Sequence, residues 1–361
     1  LKALTEIITN SHQSYHTMMD EGHVFKEKQK IIVVANISQE TFTVIDYAGG
    51  IFGTWEDVEE ILYKYSKFHK KTHTAQGRSS FGRGMSDVLY RDYENVCPIR
   101  SKQKNGTHFA VETFWDNKGT PEAEPTYEEI IDSNDPLMKL IPEHGTVIRF
   151  PWRSEYERNN PFPNEIDLER KLSKYFELKN VLNDEKIDVE LIYQITDGTN
   201  YQKTLKFFDY KKEELTSELS DVKLGIDFRK CKKCIDKYTG RSLYTMKKHC
   251  DECDQETVEV PLKIISAKTW KAVGTKLQLR GDEKTAGIFV EGEFKQIFDL
   301  TFFGLEDQYK SAAEKIGGII VFSSSVKTYM DYMQNDAHPD HILTKTRDGY
   351  NKYTTFYHKF K

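Results

Sequence analysis

Residues 29–51, QKIIVVANISQETFTVIDYAGGI, decide the fold of the first part of this chain. KIIVVANI and TFTVID are rich in β-branched residues, which is typical of strands. The second strand ends at Asp46, and small residues follow as far as Gly50. The stretch therefore predicts two strands, and it places a carboxylate beside backbone that other groups can approach closely.

The preceding stretch, LTEIITNSHQSY at residues 4–15, predicts an amphipathic helix. Positions at three- and four-residue spacing should face a core; they are Leu4, Ile7, Ile8 and Ser11. Glu6 and Asn10 are one turn apart, so their side chains leave the helix from another, shared face. A solvated helix surface has the same pattern, so this pair does not establish a site by itself.

Composition limits the function classes. The 361 residues predict one to three domains, and the 38% hydrophobic and 12% aromatic content is enough to fill their cores. A net charge of −5 argues against a protein whose whole surface binds nucleic acid, although a local basic patch is compatible with it.

Location also follows from composition. The sequence has no apolar run of about 18 residues, and its first residues do not form a signal sequence, so we expect no membrane span. Four of the five cysteines fall in one short region, unlike a secreted disulfide scaffold. We therefore expect a reducing, cytoplasmic setting.

The order of predicted strands and helices indicates an α+β protein rather than a regular βαβ array. The regular pattern stops near residue 155, which predicts two domains at 1–155 and 156–361. The acidic stretch at residues 119–136 is interpreted as a surface excursion between strands.

Four short features occur in a fixed order: Glu6-x-x-x-Asn10, DYAGGI (46–51), GRSSFGRGMSD (77–87) and HGTVIRF (144–150). Each has an ordinary structural explanation, because turns at strand ends and glycine-rich connections are common. Together they fit a nucleotide site. Asp46 can accept from an adenine amino group, and the loop and following helix N-terminus can bind phosphate.

The helix pair fits the same site. The amide oxygen of Asn10 suits Mg²⁺, which takes phosphates and waters as its other ligands. Glu6 can orient or deprotonate an attacking water. The G-x-x-x-x-G-K-[ST] sequence of P-loop proteins is missing, so a P-loop is excluded.

The ordered set EIITNS, VIDYAGGI, FGRGMSD and GTVIRF resembles the motifs of the GHKL ATPases (gyrase B, the ninety-kilodalton heat-shock chaperone, histidine kinases and MutL proteins). The resemblance covers about residues 1–155 and implies a Bergerat-type α/β sandwich.

By this resemblance Glu6 is the general base, Asn10 the Mg²⁺ ligand and Asp46 the adenine-binding carboxylate. The other implied ATP-binding residues are Gly50, Gly82, Arg83, Gly84, Met85, Ser86 and Thr146. Ala48 and Gln13 depart from the family, which usually has Gly and often Asp there.

The second region resembles, more loosely, the transducer domain of microrchidia- and MutL-like ATPases. In such proteins a basic residue reaches the γ-phosphate, and HILTKTRDGYNKY offers Lys345 and Arg347 for this role. The alternative is a solvated basic turn.

Cys231-x₂-Cys234 and Cys250-x₂-Cys253 have the spacing of a zinc site. Four thiolates close the coordination shell, so we expect a structural Zn²⁺ in an insertion at residues 228–256. Free thiols or a redox pair are the alternatives. Lysines between the pairs can contact DNA or RNA phosphates, or the insertion can brace its domain or bind a protein.

The sequence thus predicts a slow, Mg²⁺-dependent ATPase that acts as a conformational switch, dimerises when ATP binds and signals to a protein or nucleic acid. Genome maintenance or defence against foreign DNA would suit such a relative. Two alternatives remain: a nucleotide-gated, chaperone-like scaffold with little hydrolysis, and a zinc-dependent nucleic-acid binder with a degenerate ATPase domain.

Overall fold

The chain folds into two compact units. In the computed structural model, the described residues are 1–50, 96–115, 121–126, 134–152, 161–195, 198, 200–208, 212–214, 219–235, 242–272, 288–292, 297–300, 316–333 and 353–360. Described residues up to Phe208 belong to the first unit, and those from Lys212 onward belong to the second.

The first unit is built on an eight-stranded mixed sheet. Its strands are β1 (Gln29–Asn36), β2 (Thr41–Asp46), β3 (Cys97–Lys102), β4 (His108–Trp115), β5 (Pro121–Thr126), β6 (Gly145–Pro151), β7 (Ile187–Gln194) and β8 (Asn200–Thr204). Across the sheet their order is β5-β4-β3-β6-β2-β1-β7-β8. β1 and β7 are parallel, and the other neighbours are antiparallel.

Helices cover one face of this sheet. They are α1 (Lys2–Asp20), α2 (Glu165–Lys174) and α3 (Lys179–Leu182), with a short 3-10 turn at Phe176–Leu178. A second 3-10 turn, Met138–Leu140, lies on the other face. Leu4, Ile7 and Ile8 of α1 are buried in the main core, as their spacing predicts. Alternate residues of β1, β2, β3, β4, β6 and β7 fill the same core, because successive strand side chains point to opposite faces. A smaller cluster around Ile141 and Val147 packs on the other face.

The first unit extends past residue 155, the boundary predicted from the sequence. β7 pairs with β1 over its whole length, from Ile187 beside Gln29 to Gln194 beside Asn36. Because these hydrogen bonds join the two segments in one sheet, residues 161–208 belong with the N-terminal part of the chain.

The predicted surface excursion at residues 119–136 is wrong in part. β5 lies within it and pairs with β4 along its length. The strand occupies the edge of the sheet, where a proline can be accommodated because one side of the strand has no ladder to complete. PEAEPT is therefore an edge strand. Its prolines and acidic residues have low β propensity, so propensity alone does not predict it.

The second unit contains a six-stranded and a three-stranded sheet. The larger sheet has β9 (Lys212–Glu214), β10 (Leu219–Lys223), β14 (Lys263–Ala272), β15 (Ile288–Gly292), β16 (Ile297–Leu300) and β17 (Ile316–Phe322). The smaller has β11 (Arg229–Ile235), β12 (Ser242–Thr245) and β13 (Val258–Glu259), and two helices follow, α4 (Ser324–Met333) and α5 (Thr355–Phe360). The hydrophobic core of the second unit contains Phe228, Ile264, Val326, Tyr329 and Phe356.

The protein is therefore of mixed α and β class, as predicted, with one large mixed sheet and few helices among the described residues. Within the same residues, none of the helices combines the length and apolar character needed to cross a membrane.

Candidate functional site

A buried carboxylate lies at the end of β2, under α1. Asp46 is 6% exposed, and it shares the helix-covered face of the strand with Phe42 and Val44. The Ser11 hydroxyl donates to Asp46 Oδ2 at 2.8 Å, and the Ala48 amide donates to Oδ1 at 3.1 Å. Asp46 is thus held between the helix and its own turn.

Polar residues continue across the sheet from this carboxylate. Asp46 pairs with Thr146 of β6, and Thr146 pairs with Ser101 of β3. On the same face, the next row of cross-strand neighbours is apolar: Val44 of β2 pairs with Ile148 of β6. This row places three polar residues on a mostly apolar face, on which the Thr113 hydroxyl is also buried and donates to the Cys97 carbonyl.

Two glycines let the backbone close around Asp46. Gly145 has φ of 140°, and a Cβ there would lie 2.1 Å from the Asp46 carbonyl oxygen. Gly50 has φ of 78°, and its Cβ would lie 2.3 Å from the Lys102 carbonyl oxygen. No larger residue fits at either position without moving backbone, so both glycines have a structural reason beyond any contact with a ligand.

The environment of Asp46 is electrostatically unfavourable. Burial raises its pKa to about 6, against the lowering effect of the Ser11 hydroxyl and of the Ala48 and Thr146 amides. A carboxylate whose pKa is raised by desolvation costs stability at neutral pH, and such groups concentrate at functional sites. This carboxylate is therefore the strongest candidate for ligand binding in the first unit.

Glu6 and Asn10 lie on the helix that borders the carboxylate, and both are half-buried. Asn10 directly precedes Ser11, the residue that bonds to Asp46. Glu6 is five residues before Ser11, which is about 7.5 Å along the helix axis. The other site residues predicted from the sequence lie outside the described residues and remain predictions: Gly82, Arg83, Gly84, Met85, Ser86, Lys345 and Arg347.

Two contacts around the site are not evident from the sequence. Ser11 is the donor to Asp46, although its spacing assigns it only to the core side of α1. The buried Tyr15 hydroxyl donates to the Lys30 carbonyl and accepts from the Tyr47 amide, each at 2.7 Å. It ties α1 to the segment that follows Asp46. Local spacing in the sequence does not reveal that Ser11 bonds to Asp46 or that Tyr15 bonds to Lys30 and Tyr47, because these bonds join segments that are distant in sequence.

The four clustered cysteines form a group that can hold a metal ion. The sulfurs of Cys231, Cys234, Cys250 and Cys253 all lie within 4.8 Å of one another. The Cys231 and Cys253 sulfurs are 3.6 Å apart. Sulfurs at the corners of a tetrahedron around zinc, with Zn–S bonds of about 2.3 Å, are about 3.8 Å apart. The cluster therefore has the dimensions of a four-thiolate site.

Backbone amides favour the thiolate form of Cys231, whereas the contact with the Cys253 sulfur raises the pKa of Cys234. The Cys234 and Lys233 amides point at the Cys231 sulfur, at 3.2 and 3.4 Å. These two amide donors, that of Cys234 first, lower the pKa of Cys231 to about 6. Amide donors stabilise the charged form of the sulfur, which is the form that binds metal.

The cysteine-bearing sheet is fixed to the core of its unit by aromatic packing. Phe228 is fully buried and stacks on Tyr244, with centroids 5.0 Å apart and planes at 7°. Its edge meets Tyr329 of α4 at 5.1 Å. The Arg229 guanidinium also donates to the Thr257 hydroxyl and carbonyl, at 2.8 and 2.7 Å. The cluster thus rests on a rigid base.

Charge around the cysteines is divided between the two turns. The described residues of 227–259 carry six basic and six acidic side chains. Lys230, Lys232 and Lys233 are exposed beside the first cysteine pair, whereas Asp251 and Glu252 are exposed beside the second. Lys247 pairs with Asp251 at 2.9 Å. The described side chains thus mix both signs of charge, while Asp236, Lys237 and Arg241 lie outside the described residues.

The chain matches no protein-family model. No curated protein is significantly similar to it in sequence. The functional interpretation therefore rests on the residues and geometry described above.

A second cluster, absent from the sequence-based predictions, joins His12, His16 and Asp184 in the first unit. Burial raises the pKa of Asp184, but the bonds from His12 and His16 outweigh it and hold this pKa well below its usual range. The four-residue spacing in HQSYH is a sequence signal for two histidines on one helix face. Their carboxylate partner is 172 and 168 positions away and becomes visible only in the folded chain.

Proposed function

We propose that the first unit is a Mg²⁺-dependent ATPase of GHKL type with a Bergerat-type fold. The observation that carries the proposal is the buried carboxylate of Asp46, bonded to Ser11 of α1 and paired with Thr146. A buried acceptor with raised pKa gains from a hydrogen-bond donor that a ligand supplies. The exocyclic amino group of adenine is such a donor.

The residues of α1 suit the phosphate end of the same ligand. Asn10 would supply an amide oxygen to Mg²⁺, and the ion would neutralise phosphate charge when bound. Glu6 would take a proton from the attacking water. Their half-buried positions, on the helix that holds Asp46, support these roles. By the sequence resemblance alone, the loop at Gly82–Ser86 would bind phosphate, and Lys345 or Arg347 would supply the basic residue that such ATPases use at the γ-phosphate.

The second unit is proposed to carry a structural Zn²⁺ in the cysteine cluster. Sulfur spacing, the amide donors to Cys231 and the rigid aromatic base all fit a closed four-thiolate site. Because such a shell has no open position, the ion would stabilise the turns and would not take part in chemistry.

The two units together would form an ATP-dependent switch. ATP binding would favour a homodimer, and the second unit would pass the nucleotide state to a partner, as in GHKL proteins with a transducer domain. The partner would be a protein or a nucleic acid, whose phosphates the exposed lysines beside the cysteines could contact.

A comparison of three variants tests the ATPase. Glu6→Ala should still bind ATP while phosphate release falls by about 10²–10⁴-fold, the usual contribution of a general base. Asp46→Asn should lose ATP binding, and Asn10→Ala should lose the dependence of binding on Mg²⁺. Binding is measured by calorimetry and hydrolysis by phosphate release from the full chain.

The matched control is Asp20→Ala, which removes an exposed carboxylate from the same helix. It should bind and hydrolyse ATP as the wild type does. The proposal is overturned if the wild type takes up no adenine nucleotide. It is also overturned if Glu6→Ala and Asp46→Asn behave like the Asp20 control.

A further inference from the structure

Two histidines and an aspartate in the first unit are arranged like metal ligands. His12 and His16 are one turn apart on α1, so their rings leave the helix on the same side, with centroids 4.5 Å apart. Asp184 lies between α3 and β7. We propose that these three side chains bind a divalent transition-metal ion, and we choose zinc as the test ion.

The distances leave little rearrangement for an ion to enter. His12 Nε2 is 2.9 Å and His16 Nε2 is 2.8 Å from the same oxygen, Asp184 Oδ2. The three ligand atoms lie within 4.8 Å of one another. In a tetrahedral zinc site, with bonds of about 2.0–2.1 Å, neighbouring ligand atoms are about 3.3 Å apart. The two short contacts need to lengthen by only about half an ångström.

The carboxylate is already oriented for this role. Asp184 Oδ1 accepts from the Lys186 amide at 2.8 Å, which holds the group so that Oδ2 points at both rings. Bonds of this kind, made by the atom that does not bind the metal, are a regular feature of metal sites. The Asp184 side chain is 10% exposed and that of His12 is 4% exposed.

One side of the cluster reaches solvent. The His16 side chain is 33% exposed, so an ion can enter past it without opening the core. An ionised carboxylate only accepts hydrogen bonds, so in the metal-free protein both Nε2 atoms donate to Oδ2. An ion would bind the Nε2 lone pairs instead; the ring proton of a neutral histidine would then reside on Nδ1, and only a protonated ring would release a proton to solvent.

The ligand set selects the class of metal. Two imidazoles and one carboxylate suit zinc, iron(II) and similar ions, whereas Mg²⁺ and Ca²⁺ prefer sets made only of oxygen. The cysteine cluster offers four soft sulfurs, so the two sites differ in chemistry as well as in sequence. Binding at the histidine cluster would clamp α1 to the segment before β7 and so hold the helix that carries Glu6, Asn10 and Ser11.

Zinc stoichiometry tests the proposal. The full chain is stripped with a chelator, zinc is returned at controlled free concentration without ATP or Mg²⁺, and bound zinc per chain is measured by mass spectrometry. His16→Gln and Asp184→Asn should each bind one equivalent less than the wild type. His16 is partly exposed, so its replacement should leave the fold intact, as circular dichroism can verify.

His23→Gln is the matched control, because it removes an exposed histidine shortly after α1. It should retain the wild-type number of ions. The proposal is overturned if His16→Gln and Asp184→Asn bind as many zinc ions as the wild type. The cluster would then be only a hydrogen-bonded contact between α1 and Asp184. The readout is the loss of one ion, so it stands whether or not the cysteines bind zinc and whether or not the chain hydrolyses ATP.

Cobalt gives a second measurement. Co²⁺ bound through nitrogen and oxygen has weak visible bands without the charge-transfer absorption of thiolate ligands. In the Cys231→Ser, Cys250→Ser chain these weak bands should remain, and adding His16→Gln should remove them. Visible bands that survive the His16 substitution would place the ion elsewhere and overturn the assignment.

Discussion

The cysteine cluster and the Asp46 site are built in opposite ways. The four cysteines lie between residues 231 and 253, and two short turns bring them together. The groups around Asp46 come from Ser11 of α1, Ala48 of the turn after β2 and Thr146 of β6. A local site can be recognised from spacing, whereas a dispersed site depends on the whole unit being folded.

The two sites also differ in what stabilises them. Four thiolates at this spacing would repel one another, so a bound cation would stabilise the arrangement. Asp46 is instead held by neutral donors and by backbone that approaches very closely at Gly50 and Gly145. Metal removal should therefore damage the first of these sites, and backbone strain should damage the second.

The largest effect is expected from removing a cysteine ligand. Cys231→Ser should lose the bound zinc, because structural zinc sites contribute apparent binding free energies of about 10–16 kcal/mol in isolated zinc-finger peptides. Metal analysis should show one ion fewer, and proteolysis should cut near residues 228–256. Cys97→Ala removes a buried cysteine of β3 and should keep the full metal content. Equal metal content in the two variants would contradict a four-thiolate site.

A smaller effect is expected from adding one methyl group beside Asp46. Gly50→Ala should lower the free energy of unfolding by about 2–5 kcal/mol, because the positive φ and the clash with the Lys102 carbonyl add. Urea denaturation measures this loss. Gly106→Ala is the control: φ is also positive at 90°, but no atom lies within 4 Å of the added Cβ. Its cost should be only about 1–2 kcal/mol, and equal losses would exclude a role for the close backbone approach.

The pH dependence of stability that Asp46 causes should be of a size similar to the Gly50→Ala loss. Its pKa is raised from 3.8 to about 6, so between these pH values the folded state binds more protons than the unfolded state. Stability from this group therefore falls as pH rises through that range, by roughly 3 kcal/mol in total. Asp46→Asn should remove the slope and raise stability at pH 7.

Thermal denaturation across pH measures this slope, and Asp20→Asn, an exposed carboxylate, should leave it unchanged. ATP affinity should fall as pH drops below about 6, since the carboxylate becomes protonated. A slope that persists in Asp46→Asn would assign the pH dependence to another group.

The smallest effect is expected from a surface charge beside the cysteines. Lys247→Ala breaks an exposed pair with Asp251, and solvent screens pairs of this kind so strongly that they add little to stability. Metal content and thermal stability should hardly change. A large loss would mean that surface charge, and not the metal, holds the second turn in place.

Part of the fold could be predicted from sequence. The strands at Ile31 and Val44 and the apolar side of α1 follow from periodicity, because burial on one face requires a regular spacing of apolar residues. The prediction failed where tertiary pairing overrides local preference. PEAEPT became an edge strand despite its prolines, and Ile187–Gln194 joined the first sheet by pairing with β1.

The candidate sites divide in the same way. Asp46 and the four cysteines could be named from motifs and spacing, because short-range geometry limits what those patterns can do. The bond from Ser11, the polar row through Ser101 and the partnership of Asp184 with two histidines could not. Each of these contacts joins segments that are far apart in sequence, and local pattern carries no information about such distances.

The sequence by itself determined the mixed class, the amphipathic first helix, the strand that ends on a carboxylate and the two closely spaced cysteine pairs. Only the tertiary structure decided which strands share a sheet, how deeply Asp46 is buried and which side chains meet it. The physical reason is that propensity and spacing act over a few residues, whereas burial and strand pairing depend on contacts across the whole unit.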